Sequence, residues 1–119
     1  MARQVAALPM TEAQFQRRVV ELGKLFDWHV HHARPAMTGR GWRTPIQGHA
    51  GWPDLALAKR GRLVLAELKA EAGQVRPEQR EWLAILGTVP GVEVYCWRPS
   101  DWPTVLRVIG DGRAQEATA

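Results

Sequence analysis

The sequence holds a single cysteine, Cys96, which excludes an internal disulfide framework and any multi-cysteine zinc module. No run approaches the ~18 apolar residues of a membrane span. The opening Met1-Ala2-Arg3-Gln4 has neither the apolar stretch nor the small-residue cleavage site of a secretory leader, so a cytoplasmic location with no membrane partner is expected. Lysine is also scarce: thirteen of the 16 basic residues are arginine, the residue better suited to bidentate phosphate contacts. Acidic residues number 12, leaving a net charge of +4. With 119 residues, 45% apolar and 24% charged, the chain has the balance of one ordinary globular domain.

The basic excess is concentrated. Between Arg34 and Arg62 stand six basic residues (Arg34, Arg40, Arg43, Lys59, Arg60 and Arg62) against Asp54 alone, a local +5. Such a patch is the footprint of a nucleic-acid surface and equally of a solvated basic face.

Periodicity orders the elements. Thr11 with Gln14 forms a capping box, and Phe15, Val19, Leu22 and Phe26 recur at helical spacing, predicting a helix over 12–26. The 28–33 run is rich in β-formers and predicts a strand. Residues 34–52 carry six Pro or Gly residues and no period, so a long functional loop is expected there. Two apolar runs, 54–59 and 62–69, flank Arg60-Gly61, a hairpin turn. Pro77 starts a second helix that Gly87 and Pro90 end. A strand follows over 92–97, with Val92, Val94 and Cys96 on one face and Cys96 expected to be a small buried hydrophobe. Ser100 then caps a short last helix. The order α-β-β-β-α-β-α predicts an α/β domain: a mixed sheet of about four strands flanked by helices. Residues 1–10 read as an N-terminal extension, 11–110 as the domain and 111–119 as a flexible tail.

The chemistry gathers at the hairpin. The 63–69 strand is apolar on both faces until Glu67 and Lys69, which share a face. If Arg60-Gly61 is a two-residue turn, paired positions sum to 121, and Asp54 lies opposite Glu67 on that face. Two carboxylates that close repel unless a cation lies between them. An oxygen-only ligand set suits Mg²⁺, with Mn²⁺ as substitute. A one-residue slip would separate the pair.

Gly51-Trp52-Pro53-Asp54 followed by Glu67-Leu68-Lys69 resembles the Pro-Asp…Glu-x-Lys pattern of restriction-endonuclease-like nucleases, and more narrowly the small stand-alone VRR-NUC proteins of phages and prophages. Residues 11–16, 77–83 and 94–102 resemble that family too, so the likeness runs from about residue 11 to 108. It implies a restriction-endonuclease-like core and metal-dependent hydrolysis of DNA phosphodiester bonds, often in branched, flapped or junction DNA, leaving a 5′-phosphate and a 3′-hydroxyl. It further implies Asp54, Glu67 and the Leu68 backbone carbonyl as metal ligands and Lys69 as catalytic. Gln79, on the buried face of its helix, fits the family's glutamine that positions water or phosphate, and also a core-edge glutamine bonded to backbone. Glu12 fits an acid reaching the metal and also a favourable charge at a helix N-terminus; family members often carry their acid where Gln16 stands.

Arg34, Arg40 and Arg43 are expected to grip the DNA backbone, Trp42 to stack on an unpaired base or anchor the loop, and His49 to touch substrate. His29 and His31 share a strand face but lack a third ligand. So small a nuclease offers little surface to a branched duplex, and a homodimer presenting two sites is a reasonable expectation. The competing function is a catalytically idle DNA-binding accessory protein on the same fold.

Overall fold

The computed structural model describes residues 9–33, 36–39, 41–43 and 46–110. The first eight residues of the expected extension, the expected tail (111–119), Arg34 and Arg40 lie outside the described residues. No helix among the described residues is long and apolar enough to cross a membrane.

Helix α1 spans Glu12–Leu25. The Thr11 hydroxyl accepts from the Gln14 N–H at 3.1 Å, and the Gln14 side-chain oxygen accepts from the Thr11 N–H at 2.9 Å. This reciprocal cap satisfies two donors that the first helical turn leaves open. Thr11→Ala is therefore expected to cost about 1 kcal/mol, read as a lower Tm in thermal unfolding. Phe15, Val19 and Leu22 are buried on the stripe that their spacing defines. At Gly23 an added Cβ would come within 2.9 Å of Leu57 Cδ2, so the helix lies close on the sheet.

The sheet has four strands in the order β1-β4-β5-β6. They are β1 (His29–His32), β4 (Leu55–Lys59), β5 (Arg62–Leu68) and β6 (Val92–Trp97). β1, β4 and β5 pair antiparallel, while β6 joins β5 in parallel after the crossover through α2 (Pro77–Leu86). The domain is thus a mixed four-stranded α/β fold. Alternation along each strand puts Leu55, Leu57, Val64, Ala66, Leu68 and Trp97 on one side, where they join Phe15, Val19 and Leu22 of α1 and Val105 and Ile109 of α3 (Trp102–Ile109) in one core. Trp28 fastens the end of α3 to this core, its indole N–H donating to the Ile109 carbonyl at 2.7 Å. The other face carries Leu65 and Glu67 beneath α2.

Three expectations are corrected. The 34–52 segment is not a loop throughout: β2 (Ala36–Thr38) and β3 (Gly41–Arg43) pair antiparallel, Met37 opposite Trp42. Gly41, at φ +93°, supplies the left-handed backbone that so short a hairpin needs. Cys96 is exposed rather than buried, because β6 is an outer strand whose core side belongs to the stacked pair Tyr95 and Trp97 (centroids 4.7 Å apart). Ser100 does not cap the last helix. A 3₁₀ turn, Pro99–Asp101, precedes α3, and the Ser100 N–H is engaged by the Glu71 carboxylate.

Candidate active site

The Arg60-Gly61 turn sets the geometry. Gly61 takes φ +77°, and the ladder runs from Lys59 opposite Arg62 to Leu55 opposite Ala66, every pair summing to 121. One step further, Asp54 leaves the ladder in a bend and turns its carboxylate onto the end of β5, where Oδ2 accepts from the Leu68 N–H at 2.8 Å. Asp54 is thereby held by backbone, independent of any ligand.

Glu67 is 1% exposed, and Lys69 and Gln79 are buried with it. Glu67 Oε1 accepts from Gln79 Nε2 at 2.9 Å and lies 3.7 Å from Lys69 Nζ. Its Oε2 is buried with no hydrogen-bond partner. An acceptor in that state is costly and calls for a proton or a cation. Burial, reinforced by the Asp54 carboxylate alongside, raises the Glu67 carboxyl to about 8, against a smaller downward pull from Lys69. Protonated, Glu67 can share its hydrogen with Asp54. A divalent ion can replace that proton, so the orphaned oxygen fits a hard cation held by Asp54 and Glu67, with backbone carbonyl and water completing the shell. Among the described residues, no cluster of three or more His, Cys, Asp or Glu side chains is gathered tightly enough to hold a metal by itself. The two carboxylates would need further donors from backbone or water.

Glu12 belongs to this field. Its carboxyl is raised by partial burial and then by Asp54, and lowered by Lys69 and Arg76. Gln16 lies along the next turn, lining a shallow depression of about 210 Å³ with Arg17 and His32. Gln79 bonds to backbone at the edge of the core, one of the two roles expected of it, and also reaches Glu67. Its Oε1 accepts from the Arg76 N–H at 2.9 Å and caps α2, while its Nε2 fixes the Glu67 carboxyl.

Two supports were not anticipated from the sequence. Gly51 presses on the first turn of α2 so closely that a Cβ would meet the Glu78 carbonyl at 2.6 Å. Trp52 meets Trp82 edge to face at 5.0 Å, and the Trp82 indole donates to the His49 carbonyl at 3.2 Å. The segment leading into Asp54 is thereby clamped to the helix bearing Gln79. On the other flank, Arg98 Nη1 donates to the carbonyls of Ala70, Glu71 and Gly73 at 2.6–3.1 Å, holding the turn that follows Lys69. A glycine before Pro-Asp and an arginine closing a β-run were the available signals, but neither names its contact. His49 is exposed and meets α2 through its carbonyl. Trp42 and Arg43 stand on β3, and His29 and His31 are exposed on the outer strand β1.

The Glu67 shift predicts a pH dependence. Its folded value lies above its ordinary 4.5, so the stability it contributes is whole below pH 4.5 and is lost as pH rises through about 8. In EDTA the protein is expected to be about 2 kcal/mol less stable at pH 9 than at pH 6, after discounting for solvent screening at an open-sided site. Glu67→Gln should flatten that slope in thermal unfolding; an unaltered slope would assign it to another group.

No protein-family model matches the chain, and no curated protein matches it in sequence.

Proposed function

We propose that the protein is a metal-dependent DNA endonuclease of the VRR-NUC type, hydrolysing phosphodiester bonds in branched, flapped or junction DNA. The observation that carries this reading is the opposed pair Asp54 and Glu67, one oxygen of which is buried without a partner, next to the Lys69 ammonium. A purely structural core edge gains nothing from such a pair.

In this reading Asp54, Glu67 and the Leu68 carbonyl hold Mg²⁺ or Mn²⁺, and Glu12 adds negative charge on the α1 side. The bound ion supplies Lewis acidity toward a phosphate oxygen and offsets the charge of the carboxylates. Lys69 orients the attacking water and stabilises the negative charge that develops on the phosphoryl oxygens. Gln79 fixes the Glu67 rotamer, so that the free oxygen faces the site. Arg34, Arg40 and Arg43, with Trp42 and His49, provide backbone and base contacts, which makes affinity steeply salt-dependent. A homodimer would present two such sites to a branched substrate, and sedimentation of the free protein tests it.

The direct test is incubation with labelled linear, flap and four-way-junction DNA in Mg²⁺, Mn²⁺ or EDTA. Cutting in metal and none in EDTA is expected, together with a Tm that rises with Mg²⁺ by the amount its binding adds to stability, about 2.7 kcal/mol at a hundred times Kd. DNA binding with no cutting and no metal-induced stabilisation would replace this reading with that of an idle accessory protein.

A further inference from the structure

Outside the carboxylate site, a concavity runs between α2 and the extended segment that leads to Asp54. It encloses about 410 Å³ and is lined by His49, Ala50, Glu78, Glu81, Trp82 and Ile85, a volume within the roughly 300–1,000 Å³ range of small-molecule sites. Glu78, Glu81, Trp82 and Ile85 are spaced i, i+3, i+4, i+7 and form one stripe along α2. Ile85 is 54% exposed and neighbouring Trp52 45%.

We propose that this groove receives one unpaired nucleobase of the strand lying in the carboxylate site. The proposal rests on the nucleic-acid reading above and adds to it a preference for single-stranded character beside the cut. The charge pattern selects the occupant. Glu78 pairs with Arg76 Nε at 3.3 Å while Glu81 adds a second carboxylate to the lining, so on an otherwise basic protein this groove is a poor track for the sugar–phosphate backbone. Carboxylates do accept hydrogen bonds from the exocyclic amines of bases, as Glu does from cytosine N4. Trp82 and Ile85 supply an apolar bed for a planar ring, and base–aromatic stacking is the general device for holding unpaired bases. Position agrees. Ala50 on the groove wall is four residue steps from Asp54, a reach of at most ~14 Å, so a base in the groove belongs to a nucleotide within a step or two of the carboxylates. The clamp of Gly51 and Trp52 on α2 keeps groove and site in fixed register.

The test is binding, measured in EDTA so that cutting plays no part. The probes are the single strand dC8 and an eight-unit abasic phosphodiester of the same charge, followed by tryptophan fluorescence. The parent protein is expected to bind dC8 roughly 5- to 100-fold more tightly than the abasic strand. Ile85→Glu puts a third carboxylate into the groove at an exposed position and should abolish that preference while leaving Tm within a few degrees. A preference that survives Ile85→Glu, or its absence in the parent, overturns the proposal while leaving the nuclease reading intact. Failure to bind either strand removes the nucleic-acid reading as well. Competition for the groove by an octa-arginine peptide, without any effect of dC8, would likewise overturn it and assign the surface to a basic protein partner.

Discussion

Asp54→Asn is expected to slow metal-dependent DNA cutting by on the order of 10³-fold and at the same time to raise the Tm of the metal-free protein at pH 8. The two effects have one origin. The amide oxygen can still accept from the Leu68 N–H, now bonded to Oδ2 at 2.8 Å, so the backbone anchor survives. What disappears is the negative charge that helps to hold Glu67 far above its ordinary range and that a divalent ion would share. Asp54→Ala separates anchor from charge. It removes both and leaves the Leu68 N–H unpaired at a cost of about 1–3 kcal/mol, so the alanine variant should be less stable than the asparagine variant with cutting equally lost. Cleavage rates and thermal unfolding of the pair, each with Mg²⁺ and with EDTA, check both halves. Equal cutting by Asp54→Asn and parent would remove Asp54 from the chemistry.

Gly51→Ala should lower stability by about 3 kcal/mol, the sum of left-handed backbone strain and overpacking, or roughly 10–15 °C in Tm. Gly51 has φ +104°, and an added Cβ would stand 2.6 Å from the carbonyl carbon and oxygen of Glu78 and 2.9 Å from the Gln79 nitrogen. All three are backbone atoms and cannot rotate away. Relief requires α2 to lift, and α2 carries Gln79, whose amide holds the Glu67 carboxyl at 2.9 Å. Residual folded protein should therefore also bind metal more weakly. Gly61→Ala is the control: its φ is +77°, but nothing lies within 4 Å of the added Cβ, leaving backbone strain of about 1 kcal/mol. Urea unfolding of both variants separates the contact from the strain; equal losses would refute the close-approach explanation.

The site was largely readable from the chain because it hangs on a two-residue turn. Once Arg60-Gly61 fixes the ladder, period-two alternation carries Asp54 and Glu67 to the same face. Thr11 with Gln14, and Pro77 with Gly87, mark helix ends by local hydrogen-bonding chemistry, which needs no tertiary context. The failures all concern information that is not local. Alternation along β6 gives Cys96 one of two faces without saying which is covered, and a place at the edge of the sheet is decided by strands far away. The β2–β3 hairpin escaped notice because three-residue strands leave no period to detect. Gly51 against α2 and Arg98 on the carbonyls after Lys69 are contacts at separations of about 25 residues, invisible to any window. One helical turn separates Glu12 from Gln16, and only the set of α1 against the end of the sheet brings the Glu12 carboxyl into the field of Asp54 and Lys69.

The parallel pairing of β5 with β6 has a consequence in time. β4 and β5 adjoin through a two-residue turn and can find each other early, whereas β6 must wait for the whole crossover that contains α2. Asp54 and Glu67 can therefore meet while both are still hydrated, and the full cost of enclosing Glu67 falls due when α2 docks and Gln79 arrives. A chain arrested before that step has Glu67 in water, without Gln79 to fix its carboxyl. On the nuclease reading proposed above, competence comes with the last long-range closure, and a partly folded molecule is idle.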